Sequence, residues 1–160
     1  MSMNNASINN EINLAYPDGF QVMGEEELTR YFSNPADRWG AYDANQHIIL
    51  SVSWAKAGFM KSDPEMHLYD IEARLRKTLV NYQKIQSYSY DVTKKKKKYK
   101  IKNGLRFEHR VNDSARVHVV DLVVFKHKKH FYSVYYITRK ANAAESRPAF
   151  QEILQSINLS

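Results

Sequence analysis

A chain of 160 residues with 43% hydrophobic and 26% charged side chains is long enough to bury one substantial core and too apolar for intrinsic disorder. It contains no cysteine, which excludes disulfides and thiolate metal sites and suits a reducing compartment. The net charge is +7, and no apolar run approaches the ~20 residues that cross a bilayer; the most apolar stretch, Val117 to Phe125, is interrupted by Asp121.

The opening MSMNNASINN has neither the basic nor the apolar region of a secretory signal, so the expected location is cytoplasmic. Residues 1–10, rich in Asn and Ser, are expected as a mobile tail ahead of a single domain over residues 11–160. From Glu11 to Met23 the pattern predicts a hairpin, because Leu14 and Tyr16 alternate with polar neighbours before Pro17-Asp18-Gly19. A three-residue loop there pairs Tyr16 with Phe20 and Leu14 with Val22, with Gly19 in the left-handed conformation. Glu25, Glu26 and Glu27 then place carboxylates in the first turn of a short helix that ends near Phe32.

Around Trp39 to Tyr42 a strand is expected to turn at Asp43-Ala44-Asn45 into a second, half-buried one, in which Ile48, Leu50, Val52 and Trp54 share one face and Ile49, Ser51 and Ser53 the other. Leu68, Ile71, Leu75, Leu79 and Tyr82 recur at helical spacing and predict the longest helix, about Glu65 to Lys84. Tyr88, Tyr90 and Val92 alternate as a strand. Asn103-Gly104 predicts a further turn, with a three-residue loop pairing Ile101 with Leu105 and Tyr99 with Phe107 so that one face stays apolar. Arg116 to Phe125 and Phe131 to Thr138, apolar on both faces over much of their length, read as central strands. Tyr132, Tyr135 and Tyr136 face both sides of the sheet. Phe150, Ile153, Leu154 and Ile157 form a closing helical stripe, with Pro148 in its first turn.

Strands joined mostly by hairpins, with helices near residues 25, 70 and 150, predict an α+β layer architecture. No catalytic motif accompanies it. Five unclustered glycines exclude a phosphate-cradling loop, Ser51 and Ser53 sit inside a strand rather than on a strained turn, and the scattered aspartates have no paired spacing. His127 and His130 are flanked by lysines that repel a cation, so both are expected as exposed histidines rather than ligands; His109 is expected as a hydrogen-bonded imidazole on an apolar strand face. No metal or cofactor is expected.

The most informative feature is charge asymmetry. Residues 93–140 hold 15 Lys and Arg against three acids. Lys94, Lys95, Lys96, Lys97 and Lys98 form an unbroken run extended by Lys100 and Lys102, while Lys126, Lys128 and Lys129 cap the long hairpin. These residues are the candidate surface for an anionic partner. An acidic protein face is the leading expectation. Nucleic acid or anionic lipid is the alternative, with Tyr88, Tyr90 and Tyr99 available to stack on bases. The bland alternative is that lysines on an edge strand or loop only keep sheets from pairing, which argues for a monomer. A third possibility, a small-ligand carrier or an enzyme, needs a deep pocket with convergent polar groups; a sheet face without helical cover would supply a groove for a peptide or apolar ligand.

The order of elements, with YPDGF (residues 16–20), the acidic helix, DRWGAYDANQHIILSVSW (residues 37–54), the middle helix, the antiparallel strands and FQEILQSI (residues 150–157), resembles the superfamily of PsbP-like oxygen-evolving accessory proteins and Mog-type Ran-binding proteins, in a bacterial-type form. The resemblance spans nearly the whole chain. It implies an α/β/α sandwich with a central, mostly antiparallel sheet of six to seven strands, and a non-enzymatic role in binding a larger protein. It transfers no site residue, and the lysine-rich segment departs in sign from an acidic binding surface.

Overall fold

The computed structural model describes residues 2–33, 37–58, 63–94, 96–111 and 114–159, with the backbone alone for residues 92–94 and 99–102. In chain order the elements are β1 (Met3–Ile8), β2 (Ile12–Pro17), β3 (Gln21–Val22), α1 (Glu25–Tyr31), β4 (Arg38–Asp43), β5 (Ile48–Lys56), α2 (Pro64–Thr78), β6 (Val80–Lys94), β7 (Lys97–Arg110), β8 (Val117–His127), β9 (His130–Arg139), a 3-10 turn (Lys140–Asn142), α3 (Ala143–Ser156) and β10 (Asn158–Leu159). One sheet runs β1-β2-β10-β6-β7-β8-β9-β5-β4-β3. Its pairs are antiparallel except β10 with β6. β2 and β4 to β9 make up the expected α+β sheet, extended by β1 and by the two-residue β3 and β10.

Alternation along β8 sorts the two layers. Val123 and Phe125 pack with Phe150, Ile153 and Leu154 of α3, whereas Val120, Leu122 and Val124 pack with Ile71 of α2. The helices therefore cover opposite faces, giving the α/β/α sandwich. β8 and β9 are central, as their apolar composition predicts. The β4–β5 turn also forms where expected: Asp43 Oδ1 accepts from the backbone of Asn45 and Gln46, each at 3.0 Å, and Ile48, Leu50 and Val52 are buried on the α3 side. α2 starts with Asp63 accepting from the Glu65 N–H at 2.9 Å and Pro64 in the first turn.

The N-terminal expectations are corrected. Residues 3–8 are not a tail but strand β1, and Ile8 is buried. Asn9 and Asn10, with φ of 53° and 54°, make the β1–β2 turn, closed by the Glu11 N–H donating to the Ile8 carbonyl. Asparagine tolerates this conformation, so an Asn-rich opening can encode a hairpin as readily as a tail. β2 and β3 do not pair with each other. They lie near opposite ends of the sheet, joined only by the Pro17–Phe20 turn. The sheet curls toward the α3 side enough that Tyr16 of β2 and Trp39 of β4 stand with ring centroids 5.5 Å apart. No glycine has a positive φ. Gly19 instead admits the Asp43 carboxylate, which a Cβ would meet at 3.0 Å.

The second half holds three further corrections. α2 ends at Thr78, not near Lys84; Val80 begins β6, and Asn81 at φ 55° marks the first of its irregularities. Asn103-Gly104 is not a turn, because β7 runs through it unbroken. The β6–β7 reversal lies at the lysine run, where Lys94 pairs with Lys97. At Gly104 the ladder shifts register: Tyr88 faces Gly104 but Tyr90 faces Ile101, so β7 carries an extra residue. Pro148 falls inside α3 rather than in its first turn, since the helix begins at Ala143.

Candidate functional site

Two features stand out as candidate binding surfaces, the cationic sheet end and a cleft between α1 and α2. β7 leaves the lysine turn, and β8, antiparallel to it, ends in the His127–His130 turn, so both hairpin tips lie at one end of the sheet. Lys96, Lys97, Lys98, Lys126, Lys128 and Lys129 are exposed there. Lys95 and the side chains of Lys94, Lys100, Lys102 and Tyr99 lie outside the described residues. The lysine run occupies a hairpin tip rather than an edge strand. Tyr88 and Tyr90 are not free to stack on bases: both pack against the α3-side core, and the Tyr88 hydroxyl donates to Asp121 at 2.8 Å. Desolvation pushes the Tyr90 phenol well above its ordinary range.

The two loop histidines are not exposed as expected. His127 is buried, and His130 Nδ1 lies 2.9 Å from Glu11 Oε1, which also accepts from the Tyr132 hydroxyl. Burial alone would raise the Glu11 carboxyl, but the hydrogen bonds from Tyr132 and His130 and the charges of both histidines hold it below its ordinary value. This cluster ties the β1–β2 turn to the β8–β9 hairpin. Among the described residues no group of three or more His, Asp or Glu could hold a metal ion.

On the opposite sheet face, α1 packs on β4 and α2 on β7 and β8, leaving β5 and β9 between them. The floor there carries the small side chains of Ser53 and Ser133, which pair across β5 and β9. A cavity of about 770 Å³ results, within the size range of small-molecule sites. One wall is Ile71 and Leu75 of α2, and the other is Tyr31 and Phe32 at the end of α1. This is the partly uncovered sheet face that sequence reasoning treats as a possible groove, and Tyr135 is the one of the three tyrosines that lies in it.

Arg38 enters this cleft from β4. Its Nη1 donates to Ser51 Oγ at 2.6 Å, and its guanidinium carbon lies 4.1 Å from the Phe32 ring centroid and 5.6 Å from that of Tyr135. Nε is buried without a hydrogen-bond partner. Among the described residues Asp37 is the one acid of the lining, and it forms no ion pair with Arg38. Desolvation lowers the Arg38 pKa, opposed by Tyr135, and the charge of Arg74 reaches both Tyr135 and His67. Burial, followed by Arg74, also lowers the His67 pKa. His109 lines the far end of the cleft, edge-on to His118. Sequence reasoning passes over Arg38 because a single arginine at a strand start has no motif. Its alternation with Gly40, placing it opposite Trp39 and Ala41, was the available signal.

The solved structures supply the class. This chain has the PsbP/Mog-like fold. The solution structure of cyanobacterial PsbP (CyanoP) from Synechocystis sp. PCC 6803 superposes with a TM-score of 0.65 at 12% identity, over 99% of this chain and 93% of that one. LpqN, involved in cell envelope biogenesis of Mycobacterium tuberculosis, gives 0.62 at 15% identity, over 99% and 91%. The Saccharomyces cerevisiae Ran-binding protein Mog1p gives 0.58 at 12% identity, over 99% and 96%. No protein-family model matches the chain, and no curated protein matches it in sequence. Among the described residues no helix is long and apolar enough to cross a membrane.

Proposed function

We propose that the protein is a non-enzymatic accessory module of the cytoplasm that binds an acidic face of another protein through the cationic end of its sheet. The observation that carries this reading is the placement of two lysine-rich hairpin tips at one sheet end, with six described lysines exposed across them. Like charges held together repel one another, and an opposing acidic surface relieves that repulsion while steering encounter. A fold neighbour that is itself described as Ran-binding adds support for a protein partner. The inward packing of Tyr88 and Tyr90 weighs against nucleic acid, because single-strand binders rely on exposed rings.

The test is comparative capture with wild type and a variant carrying Ser at Lys96, Lys97, Lys98, Lys126, Lys128 and Lys129. Proteins retained by wild type and lost by the variant are purified and titrated against both. Loss of affinity in that defined pair supports the reading; undiminished binding removes the sheet end from it. A gel shift with an oligonucleotide at low salt that collapses as salt rises would reassign the surface to nucleic acid.

A further inference from the structure

The α1–α2 cleft lies on the sheet face opposite the one that α3 covers. A guanidinium brought out of bulk water normally acquires a carboxylate, because an enclosed charge without one is destabilising. Arg38 has two aromatic neighbours and one serine hydroxyl instead, and among the described residues it makes no ion pair. The aromatic neighbours and the Ser51 bond hold the planar group in place, which lowers the entropy lost when it binds an anion. Ser53 and Ser133 leave the floor low beside it, and Ile71 and Leu75 supply an apolar wall. The site thus joins one oriented positive charge to an aromatic and aliphatic cavity.

We propose that this cleft binds an amphipathic monocarboxylate, its head paired with Arg38 and its apolar, aromatic body lying between Tyr135 and the Ile71–Leu75 face of α2. Charge complementarity selects the head. One carboxylate balances the one enclosed guanidinium; the other lining cations, Lys56 and Arg74, are exposed and solvated, so the second charge of a phosphate monoester, about −1.5 to −2 in all, meets no enclosed partner. The exposed Arg74, whose charge reaches Tyr135, draws anions to the mouth. The aromatic side chains select the body, since planar rings stack on the faces already present.

The probe is 1-pyrenebutyrate, followed by its own fluorescence, with 1-pyrenebutanol as the uncharged match. Wild type is expected to bind the acid at least about tenfold more tightly than the alcohol, and Arg38→Met to abolish that preference. Ser53→Leu, which fills the floor without altering charge, is expected to weaken both ligands by about tenfold or more. It keeps the proposal testable if Arg38→Met fails to fold. Equal affinity for acid and alcohol, a preference that survives Arg38→Met, or full affinity in folded Ser53→Leu would each overturn the proposal. So would absence of saturable binding by wild type.

Discussion

Arg106 Nε lies 3.0 Å from Asp121 Oδ1 across the β7–β8 pair, where the two residues stand opposite in register. Both side chains are largely buried, and the same carboxylate oxygen accepts from Tyr88. Asp121, which breaks the most apolar segment of the sequence, is therefore the acceptor that lets an arginine and a tyrosine enter the α3-side layer. Asp121→Ala is expected to cost about 3–5 kcal/mol, because it leaves a buried cation without its partner. Urea unfolding of the single variant and of Arg106→Met/Asp121→Leu checks this; the double replacement should cost less than Asp121→Ala alone.

Gly104 sits beneath Tyr88, and a Cβ there would lie 2.7 Å from both the ring and the carbonyl oxygen of that residue. Because Tyr88 is held by Asp121, the neighbour cannot simply swing away. Gly104→Ala should destabilise by about 1–3 kcal/mol through overpacking. Pairing it with Tyr88→Ala, which removes the ring but not the carbonyl, should recover part of the loss in thermal melts.

Glu11 joins the β1–β2 turn to His130 and Tyr132. Its folded-state pKa is lowered from 4.5, so its contribution to stability is present above pH 4.5 and is lost as pH falls through the folded value. Glu11→Gln should cost about 1.5–3 kcal/mol at neutral pH, the range for hydrogen bonds to charged groups. It should also flatten the acid limb of the stability profile, measured by urea midpoints between neutrality and pH 3 or so.

Burial, then the charges of His109, Arg116 and Arg139, push His118 from 6.5 down to about 4. Between those values the unfolded chain binds a proton that the folded chain refuses, so stability falls as pH drops through this window and levels off below it. His118→Gln should remove that segment of the slope. An NMR titration placing the imidazole near its ordinary value would contradict the assignment.

The legibility of the fold follows the range of the interactions involved. Period-two alternation in residues 48–54 and 117–138, and helical spacing in residues 68–79 and 150–157, identify elements because each records which side of a local segment is apolar. Charge asymmetry similarly marks the two lysine-rich segments, because it is a property of composition alone. Where a residue type has two uses, local pattern chose the wrong one. Asn9-Asn10 forms a turn in what resembles a tail; Gly19 serves close approach rather than a left-handed turn, and Gly104 close approach within a strand rather than a hairpin loop; Tyr82 follows the helical stripe yet lies in β6, where its ring still meets Phe107 at 5.0 Å and its hydroxyl donates to Glu72 of α2.

By itself, then, the sequence determined the α+β class, the two-faced character of the central strands and the concentration of positive charge, all consequences of composition and short-range periodicity. Tertiary structure alone decided that the sheet curls until Tyr16 stands beside Trp39, that His127 is buried and His130 turns to Glu11, and that Arg38 lies in a cleft over Ser53 and Ser133. These depend on pairings between segments far apart in the chain. Local preference cannot specify them, because their free energy appears only when distant strands come together and exclude water between them.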